Sequence, residues 1–311
     1  MSESSKDRPI LRLVVSPLNS ADNTRLQAAV VEIAGQNTRV SVNAQSQEGH
    51  YSLEATTESA LDSICDRLRD EYHILIDVSP PAVILLETVR KQAEAEGKYI
   101  RQTGGSGNYG HCKLRIEPAE PGRGYQFIDD ISAGAVPSKY IDSIDQGIRA
   151  AMKQGVLAGF PVVDVKVMLY DGSYHETDSN PMAFTFAGSI AFKEAAKKAS
   201  PVVLEPMMSI EMEVPEELVA ATRHEVNSHR GRIESSVTAS GFSQIKAVVP
   251  LSELLVSSSG IAVCPMEFAG YEAVRESGSS DEIGSGVPAN KPNGPRPRRR
   301  SEMARPAPED D

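Results

Sequence analysis

The run Arg101-Gln102-Thr103-Gly104-Gly105-Ser106-Gly107-Asn108-Tyr109-Gly110-His111 holds the residue types most open to chemistry. Gly105, Gly107 and Gly110 have the spacing of a dinucleotide-binding turn, and Gly105 with Gly110 frames a phosphate-binding P-loop. Both readings fail on context. A P-loop needs Lys and then Ser or Thr after its last glycine, to reach phosphates and a magnesium ion, and here His111 and Cys112 follow. A dinucleotide turn must open a helix whose first amides face a pyrophosphate. Residues 112–117 instead alternate with the period of a strand. The glycines are therefore expected in a flexible loop between strands.

No other constellation points to catalysis. Neither a Ser/His/Asp nor a Cys/His arrangement is present, and no carboxylate pair fits a mechanism, so no enzyme and no cofactor is expected. Cys65, Cys112 and Cys264 lack Cys-x-x-Cys spacing, which leaves neither a zinc site nor a disulfide framework. His111 opens a strand and reads as a framework residue. A formal charge of −11 argues against sequence-blind adhesion to RNA, which needs a net basic surface. Any RNA contact must be local. Residues 1–9 are polar, unlike a secretory signal, and no run is long enough to cross a bilayer, so a reducing cytoplasmic setting is expected.

The elements that must position these residues are legible as a mixed α+β chain. Residues 10–79 read as strand (10–15), helix (21–34, with Gly35 as its cap), strands (39–44 and 50–55), helix (capped by Thr57) and strand (74–78). That βαββαβ order is the ferredoxin-like arrangement. Pro80-Pro81 marks a boundary. Residues 85–205 form a second unit, with 162–167 as a core strand. In it Phe184, Phe186, Ile190 and Phe192 are read as core at a strand-to-helix junction, and 191–199 as a short helix. The basic face of that helix (Lys193, Lys197, Lys198) reads as solvated, with RNA contact second. Residues 206–275 repeat a pared-down ferredoxin-like pattern, with a helix at 216–228 and a last strand at 263–271. There Arg230-Gly231-Arg232 could meet RNA, cap the turn or pair with Glu234. From Glu276 to Asp311 no apolar period survives, as in a disordered tail. Its Arg296-Pro297-Arg298-Arg299-Arg300 cluster reads as a solvated basic patch or as an auxiliary attraction for RNA.

The glycine run, together with Val136-Pro137-Ser138-Lys139-Tyr140-Ile141, residues 155–167, Leu169-Tyr170-Asp171-Gly172-Ser173-Tyr174-His175, Met182-Ala183-Phe184, Ala191-Phe192-Lys193-Glu194-Ala195 and Leu204-Glu205-Pro206, resembles the fourth domain of bacterial elongation factor G. Residues 227–234 and Val249-Pro250-Leu251 are similar to its fifth domain. The element order of 10–79 and residues 66–72 are similar to its third. The family's GTPase domain would precede residue 1, and nothing upstream of Leu85 supplies a Walker A loop, a switch or a guanine-reading motif.

The resemblance implies an arm-like unit whose tip enters the decoding region of the ribosome and touches the tRNA–mRNA duplex. Carried over, the tip is Gly104, Gly105, Ser106, Gly107, Asn108, Tyr109 and Gly110, with Ser173, Tyr174 and His175 in the second loop. Glycines let backbone amides approach phosphate and sugar oxygens. Asn108 and Ser106 are expected to meet 2′-hydroxyls, Tyr109 or Tyr174 to stack on a base or ribose, and His175 to donate to phosphate or ribose.

The sequence departs from the family in three places. Ser106 stands where the family often has Arg. The family's glycine-rich approach to the second helix of its third domain is replaced by residues 54–60. The connection after Val249-Pro250-Leu251 is trimmed to 252–261, which removes the basis for carrying over the contact with the large-subunit GTPase centre. The function expected is a ribosome-binding, translation-factor-like protein that modulates elongation or translocation without its own GTP hydrolysis. The alternatives are a non-ribosomal protein-interaction module and a split factor completed by a separate GTPase subunit. Neither membrane nor DNA is expected as a partner.

Overall fold

The computed structural model describes residues 8–36, 40–44, 49–103, 106–132, 134–256 and 264–275. Three sheets organise them. The first is built from β1 (Leu11–Pro17), α1 (Asn23–Gln36), β2 (Val40–Ala44), β3 (Tyr51–Ala55), α2 (Glu58–Asp70) and β4 (Ile76–Val78). The strand order β2-β3-β1-β4, antiparallel between β1 and each neighbour, is ferredoxin-like. Alternation places Leu11, Leu13 and Val15 of β1 on the buried face, against Leu26, Val30 and Ile33 of α1 and Leu61, Ile64 and Leu68 of α2. Thr57 Oγ1 accepts the Ala60 N–H at 3.4 Å and caps α2. Gly35 does not cap α1. It lies in the last turn without a positive φ, so nothing in its backbone stops the helix there. A short β5 (Ala82–Val83) adds to β1.

The second sheet forms the arm. β6 (Leu86–Val89) leads into β7 (Ala93–Thr103) and β8 (Ser106–Pro118), which pair antiparallel from Ala93↔Ile116 to Thr103↔Ser106. β9 (Tyr125–Asp129), α3 (Ile141–Gln154) and β10 (Val165–Ser173) follow, with β9 and β10 parallel, as a helical crossover allows. α4 (Pro181–Lys198) closes the unit and packs on α3, β7 and β8. Glycines permit these approaches. A Cβ at Gly97 would overlap the Ala187 carbonyl oxygen of α4, and one at Gly147 of α3 the Thr185 carbonyl oxygen.

The third sheet holds β11 (Pro201–Pro215), α5 (Val219–Ser228), β12 (Arg232–Ala239), β13 (Phe242–Pro250), α6 (Leu251–Val256) and β14 (Met266–Ala273). Its order β12-β13-β11-β14 repeats the ferredoxin-like pattern. β11 runs unbroken through residues 205–206, and its first residues pair with β6. One apolar cluster joins the first and third sheets, Leu53 and Leu68 belonging to the same core as Ile210 and Val249.

Several sequence expectations change here. Residues 106–110 are strand rather than loop, because they pair antiparallel with Tyr99–Thr103 of β7, and at Gly110 the Ala183 backbone leaves no room for a Cβ. The 162–167 strand begins only at Val165. Asp164 is a buried turn residue with φ 53° whose carboxylate accepts the Gly122 and Gly124 N–H groups at 3.0 and 2.7 Å. Residues 191–199 are the end of an 18-residue helix, not a short one, because Asn180 and Pro181 start it a decade earlier. Phe184 and Phe192 are fully buried, but Phe186 and Ile190 are not core. They lie on the outer face of that helix, 45 % and 37 % exposed. The tail from 276 and residues 257–261 of the trimmed connection lie outside the described residues.

Candidate nucleic-acid interface

The far end of the arm is set by the start of α4. Asn180 is its N-cap: Oδ1 accepts the Ala183 N–H at 2.9 Å, and Pro181 fills the first helical turn. The same Asn180 donates from Nδ2 to Asn108 Oδ1 at 2.7 Å. Asp178 and Ser179 extend the clamp. The Tyr109 N–H donates to the Asp178 carbonyl at 2.8 Å, and Ser179 Oγ donates to the Tyr109 carbonyl at 3.0 Å. The Gly107 N–H reaches Asp178 Oδ1 at 3.2 Å, and a Cβ at Gly107 would stand 2.7 Å from that carboxyl carbon. The two candidate segments are thereby pinned together by residues 178–180. Sequence reasoning missed these, although Asn before Pro at a helix start was the signal for one of them.

Each candidate residue has a defined place. Gly104 and Gly105 lie outside the described residues, and Ser106 opens β8. Gly110 packs on the backbone of Ala183, so its missing Cβ serves the helix contact. Asn108 is held by Asn180. Tyr109 Oη and Ser173 Oγ lie 2.7 Å apart, and Ser173 Oγ lies 2.8 Å from His111 Nδ1, whose Nε2 faces Glu96 at 3.3 Å. Tyr109 and Ser173 thus belong to an internal polar chain, and His111 is the framework residue expected.

Tyr174 and His175 remain presented to solvent, His175 with 56 % of its side chain exposed. Thr177 and Asp178 direct their backbone N–H groups at His175 Nδ1 from 3.4 and 3.3 Å, and the Thr177 hydroxyl stands 3.1 Å away. With Nδ1 accepting, the neutral ring carries its proton on Nε2. That nitrogen has no partner among the described residues and is left to donate from an exposed side chain. Asp178 Oδ2, 3.3 Å from Nδ1, would pair with the ring when charged.

On the sheet face away from the helices, charges cancel in cross-strand pairs. Arg115 pairs with Glu94 at 2.7 Å, Lys113 with Asp171 at 2.8 Å and Lys166 with Glu117 at 2.6 Å. The Lys113 hydrogen bond, and then the Gly172 N–H, hold the Asp171 carboxyl below the ordinary aspartate range. In the third sheet Arg230 is committed to Glu205 (2.6 Å) and Glu253 (2.6 Å), and Arg232 to Glu272 (2.7 Å) and more loosely to Glu234 (3.6 Å). Pairing, not an open RNA contact, is what the Arg230-Gly231-Arg232 turn does. Among the described residues no group of His, Cys, Asp and Glu could hold a metal ion, and no helix is long and apolar enough to cross a membrane.

The site thus stands on an arm of four strands under two helices, rooted beside a ferredoxin-like sheet. Residues 81–200 match the family described as elongation factor G, domain IV, and residues 202–281 match the elongation factor G C-terminus. Residues 81–281 of the chain therefore belong to the elongation factor G family. A solved structure of a Thermus thermophilus protein is similar over 86 % of this chain at 36 % identity, with a TM-score of 0.64. This chain spans 41 % of that protein's length.

Proposed function

We propose that this chain binds the ribosome through the far end of its arm, near the small-subunit decoding region with its tRNA and mRNA, and modulates elongation or translocation. The observation that carries the reading is the exposed His175 ring, its Nδ1 held by residues 177 and 178 and its Nε2 uncommitted among the described residues, beside a strand end clamped to the same loop. A pre-oriented donor on a rigid support suits phosphate or ribose oxygens of folded RNA, which is recognised by shape and 2′-hydroxyl contacts. The charge of −11 fits such a local contact better than broad electrostatic adhesion. The action is steric and positional and calls on no GTP hydrolysis within these residues. A separate GTPase is the partner that a split-factor reading adds. The setting is the cytoplasm.

Cosedimentation of the full chain with 70S ribosomes across a salt series, beside His175→Ala, tests this. Salt-sensitive binding that weakens in the variant supports the reading. Absence of binding at low salt by the folded protein would remove it, and restoration by an added GTPase subunit would favour the split factor.

A further inference from the structure

The outer stripe of α4 is apolar where a solvated helix face would be polar. Met182, Phe186 and Ile190 recur every fourth residue and are 55 %, 45 % and 37 % exposed. The stripe runs beside β7, the edge strand of the arm, and Tyr99 of β7 stacks on Phe186 with ring centroids 4.8 Å apart and planes 24° from parallel. The stack is therefore an aromatic platform at the side of the arm, with Phe186 its exposed member and Tyr99 partly buried. Strand alternation puts Arg101 on the same face as Tyr99, opposite Asn108 and so beside the start of α4. Lys98 lies one residue before Tyr99 on the other face of the edge.

Charge decides what fits there. The neighbouring carboxylates are engaged: Glu94 by Arg115, Glu96 by His111 and Glu194 by Lys197. The side chains of Lys98 and Arg101 are exposed and have no partner among the described residues. An aromatic face with an uncommitted cation on the same side, Arg101, is complementary to a base with an adjoining phosphate. A purely apolar peptide would leave Arg101 without a counter-charge. We infer that the Tyr99–Phe186 platform takes an unpaired nucleobase of single-stranded RNA, as a continuation of the next base in the stack, with Arg101 on an adjoining phosphate. This site is separate from the His175 contact and stands or falls without it.

The test uses the full chain and a 12-nucleotide single-stranded RNA carrying a central 2-aminopurine, whose fluorescence falls on stacking. The native chain is expected to quench it. Phe186→Leu, which keeps the apolar surface but removes the aromatic face, is expected to weaken binding about ten-fold, within the range for loss of one base–aromatic stack. Phe186→Tyr restores it. Arg101→Ala lowers the magnitude of the salt slope by about 0.7, as expected for one phosphate on a single strand. Ribosome cosedimentation of Phe186→Leu is measured beside the quench, so failure of ribosome binding and failure of this site are read separately. Equal binding by Phe186→Leu and the native chain would overturn the proposal. So would equal quenching when the 2-aminopurine is paired in a duplex, or no RNA binding by the folded native chain.

Discussion

Glu87 Oε1 accepts the backbone N–H of Ala158 at 2.7 Å, across 71 residues of chain. The same carboxylate also takes the N–H groups of Val156, Leu157 and Phe160 at 2.7, 2.9 and 3.0 Å. Its own backbone is bonded to Pro161 and Val163 at 2.8 Å each. A fully buried carboxylate is thus solvated by four amides of the turn that leaves α3, and it ties the root of the arm to that turn.

Glu87→Gln should be costly out of proportion to its size. The amide nitrogen would face donors, leaving at least one N–H unpaired and weakening the rest. A loss of about 3 kcal/mol is expected, from the cost of unsatisfied buried donors and charged hydrogen bonds. Urea unfolding followed by far-ultraviolet circular dichroism measures it, and a loss under about 1 kcal/mol would mean the cradle relaxes freely.

Two glycines should respond in opposite directions to alanine. At Gly110 the new Cβ would overlap the Ala183 carbonyl, so Gly110→Ala should cost about 2 kcal/mol or more through overpacking. At Gly35, inside α1 with nothing within 4 Å of a Cβ, alanine should stabilise by roughly 0.5–1 kcal/mol through helix propensity. Thermal melts of the two variants beside the native chain separate the cases.

Asp171 should titrate lower than an ordinary aspartate, with the Lys113 hydrogen bond as the main cause. Since its folded value lies below its unfolded one, its stabilising contribution is present above the unfolded value and is lost as pH falls through the folded one. Both side chains are partly exposed, which keeps that contribution small. Carboxyl-detected NMR titration should give a low midpoint that moves back up in Lys113→Met; an unmoved midpoint would assign the effect to the Gly172 amide instead.

Cys112 is fully buried, and burial pushes its thiol up to about 12. At pH 8 roughly one thiol in ten thousand would be ionised, so native protein should resist iodoacetamide at this position. Labelling read by mass spectrometry should appear only in urea. Rapid native labelling would show that the arm opens locally.

The two ferredoxin-like units are legible from local rules. Alternation at Leu11, Leu13 and Val15 and the Thr57 cap each act over a few residues. α3 is harder to see: Tyr140 supplies no side-chain cap, and Gly147 reads as an interruption until Thr185 of α4 is found against it. Phe184 and Phe186 look alike in sequence, yet one is buried and the other exposed, because only the packing of α4 decides which face turns inward. At the candidate site, His175 is visible in the sequence, whereas its orientation depends on Thr177 and Asp178, and the grip on Gly107 on a contact 71 residues away. The Glu87 cradle is illegible for the same reason, its partners lying 69 to 73 residues on.

β6 and β11 enter and leave the arm as one antiparallel ribbon, from Val89↔Pro201 to Leu86↔Leu204, and β11 then continues to Pro215 within the last sheet. The arm is therefore a lever fixed to a beam. The 13 residues of β8 reach roughly 40 Å at the usual strand rise. A rotation of the last sheet by about 10° would sweep the far end through roughly 7 Å on that length, comparable with two residues of extended chain. Small tilts at the root become displacements on the scale of a nucleotide, with no bending of the arm itself.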